Sequence, residues 1–313
     1  MSPLAGRVAA PLVGRVAALL AGRVTDAAYA GGWAVVRALP DPVAAALFRA
    51  GADLAVRRGG PSVDRLRANL ARVAPQADLD VLVRDAMRSY ARYWREVFRL
   101  QGMGRDRVVG GMVTVGEERF RAAVAGPTGA IMALPHSGNW DQAGAWCGYT
   151  GVPFTTVAER LQPESLYERF LQFREGLGME VLPLTGGARP PYEVLAERLR
   201  AGGTLCLMAD RDLSLRGVDV QLFGATARFP AGPASLALAT GAVLVPATLA
   251  FLDDGWLCTF HPEVPHTDVP TMTQALADAF ARGLAEHPAD WHMLQRLWLD
   301  DLDPDDPRRV PAP

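Results

Sequence analysis

The chain has 313 residues, half of them apolar and 21% charged, which fills a packed core and excludes a disordered or fibrous polymer. Its formal net charge of −2 gives no electrostatic footprint for nucleic acid, so no nucleic-acid partner is expected. All 32 basic residues are arginine, so every basic contact is a planar fork suited to phosphate or carboxylate.

The first 24 residues hold a repeat, PLAGRVAA, PLVGRVAA and LLAGRVTD. Its period of eight turns Arg7, Arg15 and Arg23 about 80° from one another on a helix and leaves an apolar side of Leu, Val and Ala. Such an amphipathic segment reads either as a helix lying on an anionic membrane surface or as a frayed extension. The arginines interrupt the apolar run, so no signal peptide is expected. Residues 25–301 read as the main body, mainly helical over 25–111 and α/β over 112–301, with 302–313 a disordered Pro/Asp/Arg tail.

Residues 25–58 are expected as helices broken at Gly31–Gly32 and Pro40. PSVDRLRANLARVAP predicts a helix with a serine or aspartate cap and a proline stop. DLDVLVRDAMRSYARYWREVFRL is the strongest helical pattern, with Arg84, Arg88, Arg92, Arg95 and Arg99 on one face. That stripe reads as a solvated basic face or as a surface for lipid phosphates.

From about residue 112 strands and helices alternate. GAIMALPH, FTTVAE, EVLPL, TLCLMAD, AVLVPATLAFL and WLCTFHPEV read as strands. SGNWDQAGAWCGY, PESLYERFLQFREGLG, PYEVLAERLRAGG, AGPASLALATG and TMTQALADAFARGLAEHP read as helices. The pattern predicts an α/β fold: a central mixed β-sheet flanked by helices, the last two strands antiparallel, preceded by N-terminal membrane-associating helices. Gly232 to Leu252 is uncharged over 21 residues, but Gly241 and Pro246 divide it, so two buried elements are expected and no membrane span. Cys147, Cys206 and Cys258 form no CxxC pair and read as buried reduced thiols. His261, His266, His287 and His292 form no ligand cluster, so no metal is expected.

LPHSGNWD carries the chemistry. His136 ends a strand, Ser137–Gly138–Asn139 turns the chain, and Asp141 falls in the first helical turn, where negative charge is favoured. On one continuous helix residues five apart diverge by about 140°. The bend is expected to bring Asp141 back to His136, leaving the other ring nitrogen to take a proton from a substrate hydroxyl. The bland alternative is a core histidine bonded to a nearby acid. The site would lie at the carboxyl edge of the sheet, where α/β ligands collect. The charged runs AERLQPES and ADRD also directly follow strands, with Glu159, Arg160, Asp210, Arg211 and Asp212. Charges there are more often paired than solvated.

HSGNWDQAG, TTVAERLQPESLYERF, FREGLGMEVLPLTGG, RPPYEVLAERLR, MADRDLSLRGVDVQLFG and PAGPASLALATGAVLVP resemble bacterial acyltransferases of the lipid A biosynthesis lauroyl/myristoyl type. Within these they are most similar to the branch that acts on phosphatidylinositol mannosides in high-GC bacteria. YAGGWAVVRALP and SYARYWREVFRL extend the resemblance to about residues 25–300. It implies transfer of a fatty acyl group, usually palmitoyl, from acyl-CoA to a mannose hydroxyl of a glycolipid, at the cytoplasmic face of the cell membrane. It implies His136 as general base with Asp141 as partner, no acyl-enzyme and no cofactor beyond the donor substrate. Asp210 stands where close relatives carry glutamate, with one methylene less reach toward His136, and is expected to orient or polarise the base. Glu159, Arg160, Arg174 and Arg211 are candidate substrate-binding residues, with Arg160 or Arg174 gripping the CoA diphosphate through forked bonds. QLFGATARFPAGPASLALATG reads as a wall of the acyl tunnel or as plain core. The rival readings are another lipid acceptor, a non-catalytic lipid-binding homologue, and a thioesterase.

Overall fold

A computed structural model describes residues 31–160, 164–212 and 216–306. The N-terminal repeat, and residues 307–313 of the tail, lie outside the described residues.

Four helices lead into the sheet: α1 (31–38), α2 (Asp41–Arg58), α3 (Pro61–Val73) and α4 (Leu79–Leu100). The break at Pro40 is present, whereas Gly31 and Gly32 lie in helical conformation. α3 opens on Pro61 and stops before Pro75, but Gly60 is its N-cap and no side chain caps it. Neither Ser62 nor Asp64 therefore plays the expected part: proline pre-sets the first turn and lacks one of the orphan N–H groups. α4 is capped by Asp78, which accepts from the N–H groups of Asp80 and Val81.

The arginines of the α4 stripe are largely paired: Arg84 stays 43% exposed, while Arg88, Arg92, Arg95 and Arg99 line a cavity of about 620 Å3. Arg88 Nε donates to Asp53 at 2.6 Å and Arg92 Nε to Glu96 at 2.7 Å. Arg99 reaches the carbonyls of Val36 and Leu39, both at 2.7 Å. Facing α2 and the β8–β9 hairpin, these forked donors satisfy carbonyls that a helix end and a hairpin leave open.

Beyond α5 (Arg105–Gly110) come β1 (Met112–Val115), α6 (Glu117–Ala125), β2 (Ala130–Leu134), α7 (Trp140–Tyr149) and β3 (Phe154–Ala158). There follow α8 (Glu164–Glu175), β4 (Met179–Pro183), α9 (Pro191–Arg200), β5 (Thr204–Met208) and the hairpin β6 (Val218–Leu222) and β7 (Ala225–Phe229). α10 (Gly232–Thr240), β8 (Val243–Leu252), β9 (Gly255–Phe260) and α11 (Val269–Glu286) complete the body. Among the described residues seven strands form one mixed sheet in the order β1-β9-β8-β2-β5-β3-β4. β8, β2, β5, β3 and β4 run parallel, and β9 returns antiparallel to β8. The uncharged run from Gly232 thus divides into α10 and β8 as expected, and no helix among the described residues is long and apolar enough to cross a membrane.

The pleat sorts the core into two layers. Ile131 and Ala133 of β2, with Leu205 and Leu207 of β5, pack on α9, α10, α11 and the β6–β7 hairpin. Met132 and Leu134, with Cys206 and Met208, pack on α4, α6, α7 and α8. Strands buried on both faces read as continuous apolar runs, as these do. The parallel strands bring the ends of β2, β3 and β5 to one edge, where α4 and the segment after α11 close over them.

Candidate active site

β2 ends at Leu134, and five residues, Pro135 to Asn139, carry the chain into α7. Gly138 makes the turn at φ 56°, and its N–H donates to the Asp290 carbonyl at 2.9 Å. Asn139 caps α7 by accepting from Gln142 N–H at 3.0 Å, and its amide donates to buried Glu96 of α4 at 2.8 Å. Glu96 also accepts from the Trp256 indole at 2.7 Å, which ties the turn to β9. Ser137 is buried and its Oγ accepts from Leu249 N–H at 3.2 Å, a bond that holds β8.

His136 pairs with Asp210 and not with Asp141. Its Nδ1 lies 2.5 Å from Asp210 Oδ1, and its backbone N–H donates to Oδ2 at 2.9 Å. The Trp291 indole donates to the same Oδ2 at 3.1 Å. A carboxylate only accepts, so Nδ1 carries the proton; Nε2 has no partner among the described residues. The imidazole is 27% exposed and Asp210 1%, so the ring meets the cavity while the carboxylate stays dry. Burial pushes the Asp210 carboxyl up, but His136 and three hydrogen bonds outweigh it and hold the acid below its ordinary value. One methylene less than glutamate is enough here because the end of β5 lies directly beside that of β2, with Leu134 paired to Met208.

Asp141 faces the other way. Its carboxylate, 1% exposed, takes a forked pair of bonds from Arg174 of α8 at 2.7 and 3.2 Å, and Tyr93 of α4 donates to it at 2.8 Å. The first turn of α7 points this side chain between α4 and α8, whereas His136 turns back toward β5. Burial works against the Arg174 charge, but Asp141 outweighs it and holds the guanidinium above its ordinary value; burial also raises the Tyr93 hydroxyl. Arg174 is thus committed inside the fold and is not a free clamp for a diphosphate.

The remaining candidates lie on the same strand edge. Glu159 accepts from Arg211 at 3.0 Å, and Arg211 also donates to Gln295. Arg160 is exposed and pairs with Glu164 at 2.7 Å. Asp212 folds inward to accept from Gly217 N–H at 2.9 Å.

Two cavities meet at Trp140. One, about 180 Å3, is lined by His136, His292, Arg211, Gln295 and the rings of Tyr90, Tyr93, Trp94 and Trp140. The other, about 80 Å3, lies under α7 between Leu134, Met208, Phe154, Met179 and Phe260, with Asp141 and Arg174 at its wall. It lies against the α7 face of the sheet, and residues 221–241 do not line it: they belong to the opposite layer. All three cysteines do line it as free thiols, Cys147 and Cys258 buried and Cys206 partly so, and contact with Cys147 together with burial raises Cys206 well above its ordinary value. Among the described residues no group of three His, Cys, Asp or Glu could hold a metal ion.

The segment Ala289–Met293, which the sequence reading passed over, completes the site. His292 N–H donates to the His136 carbonyl at 2.8 Å, Ser137 bridges Trp291, and Asp290 accepts from Ser89 at 2.6 Å and Phe251 N–H at 2.8 Å. The available signal was DWH directly after a helix stop, a polar and aromatic cluster followed by apolar residues.

Comparison with known proteins accords with this architecture. Residues 15–300 match the family model described as bacterial lipid A biosynthesis acyltransferase. A phosphatidylinositol mannoside acyltransferase of Mycolicibacterium smegmatis is 54% identical over 284 residues, 89% of this chain and 93% of the relative. One of Mycobacterium tuberculosis H37Rv is 52% identical over 290 residues, 89% of this chain and 90% of the relative. Similarity of that extent, over the strands and turns that build the His136 cavity, means that the chain belongs to the bacterial lipid A biosynthesis acyltransferase family.

Proposed function

We propose that this acyltransferase moves a fatty acyl group, palmitoyl, from acyl-CoA to a mannose hydroxyl of a phosphatidylinositol mannoside at the cytoplasmic face of the cell membrane. The observation that carries the reading is the His136 imidazole, braced at Nδ1 by buried Asp210 and open at Nε2 to an aromatic cavity beside an apolar one. The acceptor class comes from the activity by which relatives more than 50% identical are named.

Nε2 takes the proton of the sugar hydroxyl as its oxygen attacks the thioester carbonyl. The carbon–sulfur bond breaks, and the imidazolium returns the proton to the departing thiolate. Asp210 stabilises the imidazolium and fixes its tautomer. Ser137 is engaged with β8, so transfer is direct, without an acyl-enzyme. The apolar cavity under α7 receives the start of the fatty chain, and Asp141–Arg174 braces its wall. Arg160, Arg211 and Glu159 lie on the strand edge where the donor's phosphates arrive, with Arg160 the exposed fork. No resident cofactor takes part; acyl-CoA is consumed. Val43, Leu47 and Leu54 of α2 form an exposed apolar stripe, with Arg57 and Arg58 in its last turn, which suits an anionic lipid surface alongside the N-terminal repeat.

The test incubates purified protein with palmitoyl-CoA and phosphatidylinositol mannoside and weighs the product. Expected are acylated mannolipid, loss of about 10³-fold or more in kcat for His136→Ala, and about 10²- to 10⁴-fold for Asp210→Asn. Full transfer by His136→Ala, or thioester hydrolysis without transfer, would overturn the reading.

A further inference from the structure

We propose that His292 is a second substrate-contacting imidazole, which accepts a hydrogen bond at Nδ1 from a hydroxyl of the incoming sugar other than the one His136 deprotonates. This rests on the sugar-acylating reading above and names the residue that decides which hydroxyl reacts.

The hydrogen-bonding chain around His292 assigns its tautomer. Asp290, as a carboxylate, only accepts, so the single Ser89 hydroxyl proton points to it at 2.6 Å. Ser89 must then accept at its remaining contact, His292 Nε2 at 3.0 Å. Nε2 therefore carries the imidazole proton and Nδ1 is a bare lone pair. That nitrogen is buried and has no partner, in a residue only 7% exposed. A buried acceptor left unmatched is destabilising, a cost relieved when a ligand hydroxyl arrives.

The ring also lines the cavity that holds His136, and its backbone N–H is bonded to the His136 carbonyl. The two imidazoles are thus fixed relative to each other by main chain. Burial and the neighbouring His136 push His292 down to about 3, so it stays neutral and does not compete as a base. The other walls are mostly aromatic: Tyr90, Tyr93, Trp94 and Trp140. Rings that cover the apolar face of a polyol, with two nitrogens for its hydroxyls, match how small-molecule sites combine apolar walls with a few placed polar groups. A site built to pair a hydroxyl rejects analogues lacking it far more strongly than an apolar pocket does.

The experiment follows transfer from palmitoyl-CoA to phosphatidylinositol mannoside and to analogues each lacking one mannose hydroxyl. With wild-type protein, one hydroxyl besides the reacting one is expected to be needed, its loss lowering kcat/KM about tenfold or more. In His292→Phe, KM for the intact acceptor is expected to rise about tenfold, and the deoxy analogue loses nothing further. His292→Asn, which can place an amide oxygen near Nδ1, is expected to recover part of the loss. An unchanged KM in a His292→Phe protein that melts like wild type would overturn the assignment. If that variant does not fold, the wild-type series decides, and indifference to every non-reacting hydroxyl would overturn it. Absence of transfer by wild type to any mannolipid would instead sink the functional reading, and the assignment with it.

Discussion

Asp210 and Asp141 are both almost fully enclosed, and each meets a different side chain: the His136 imidazole for one, the Arg174 guanidinium for the other. Breaking a buried ion pair strands a charge, at a cost of about 3–5 kcal/mol. Asp141→Asn should therefore destabilise the protein by that amount in urea titrations, and Asp141→Asn with Arg174→Met should recover most of it. Stability untouched by the single change would contradict the bracing role. The base was legible in the sequence, because a histidine at a strand end followed by small residues and a helix start is a local pattern. Its acid came only through the family resemblance, which offered Asp210 beside Asp141: residues 136 and 210 meet because β5 lies beside β2, and strand order is not written in spacing. Arg174 likewise sits on a helix whose facing partner depends on how α8 packs.

The turn from Leu134 to Trp140 shows how little room an element boundary can have. A Cβ on Gly138 would lie 2.7 Å from the Leu249 carbonyl carbon and 2.8 Å from Leu249 Cβ, in a backbone conformation L residues avoid. Gly138→Ala must displace the turn or β8. It is expected to cost about 2 kcal/mol and to lower kcat by about 10²-fold, since a misplacement of about 1 Å is enough for that. Thermal melts and initial rates check the two parts separately. The individual helices and strands were readable from period and caps. The pairing of the α4 arginines was not, because a stripe of like charge looks the same whether water or a helix such as α2 faces it.

At the scale of the whole molecule, buried neutral histidines set the response to acid. His292 is pushed down to about 3 and His261 to about 4, both below the ordinary histidine value, so the unfolded chain binds protons that the folded one refuses. Stability contributed this way is whole above about pH 6.5 and falls as pH drops toward the folded values. Between pH 7 and pH 5 the loss is about 2 kcal/mol for His292 alone. Denaturant midpoints at the two pH values measure it, and a folded His292→Phe protein should show a shallower slope. An equal slope would remove His292 as its source.

The contact between His136 and His292 also has a consequence in time. Ribosomes add residues in order, so the strand that carries the base emerges long before the main chain that pins its end. At about 5–20 residues per second, the 156 positions between them take roughly 8–30 s. Throughout that interval a growing chain holds its imidazole unclamped and its Asp210 without the indole donor. The pocket around His136 is therefore completed late in translation, once the last fifth of the chain has been made.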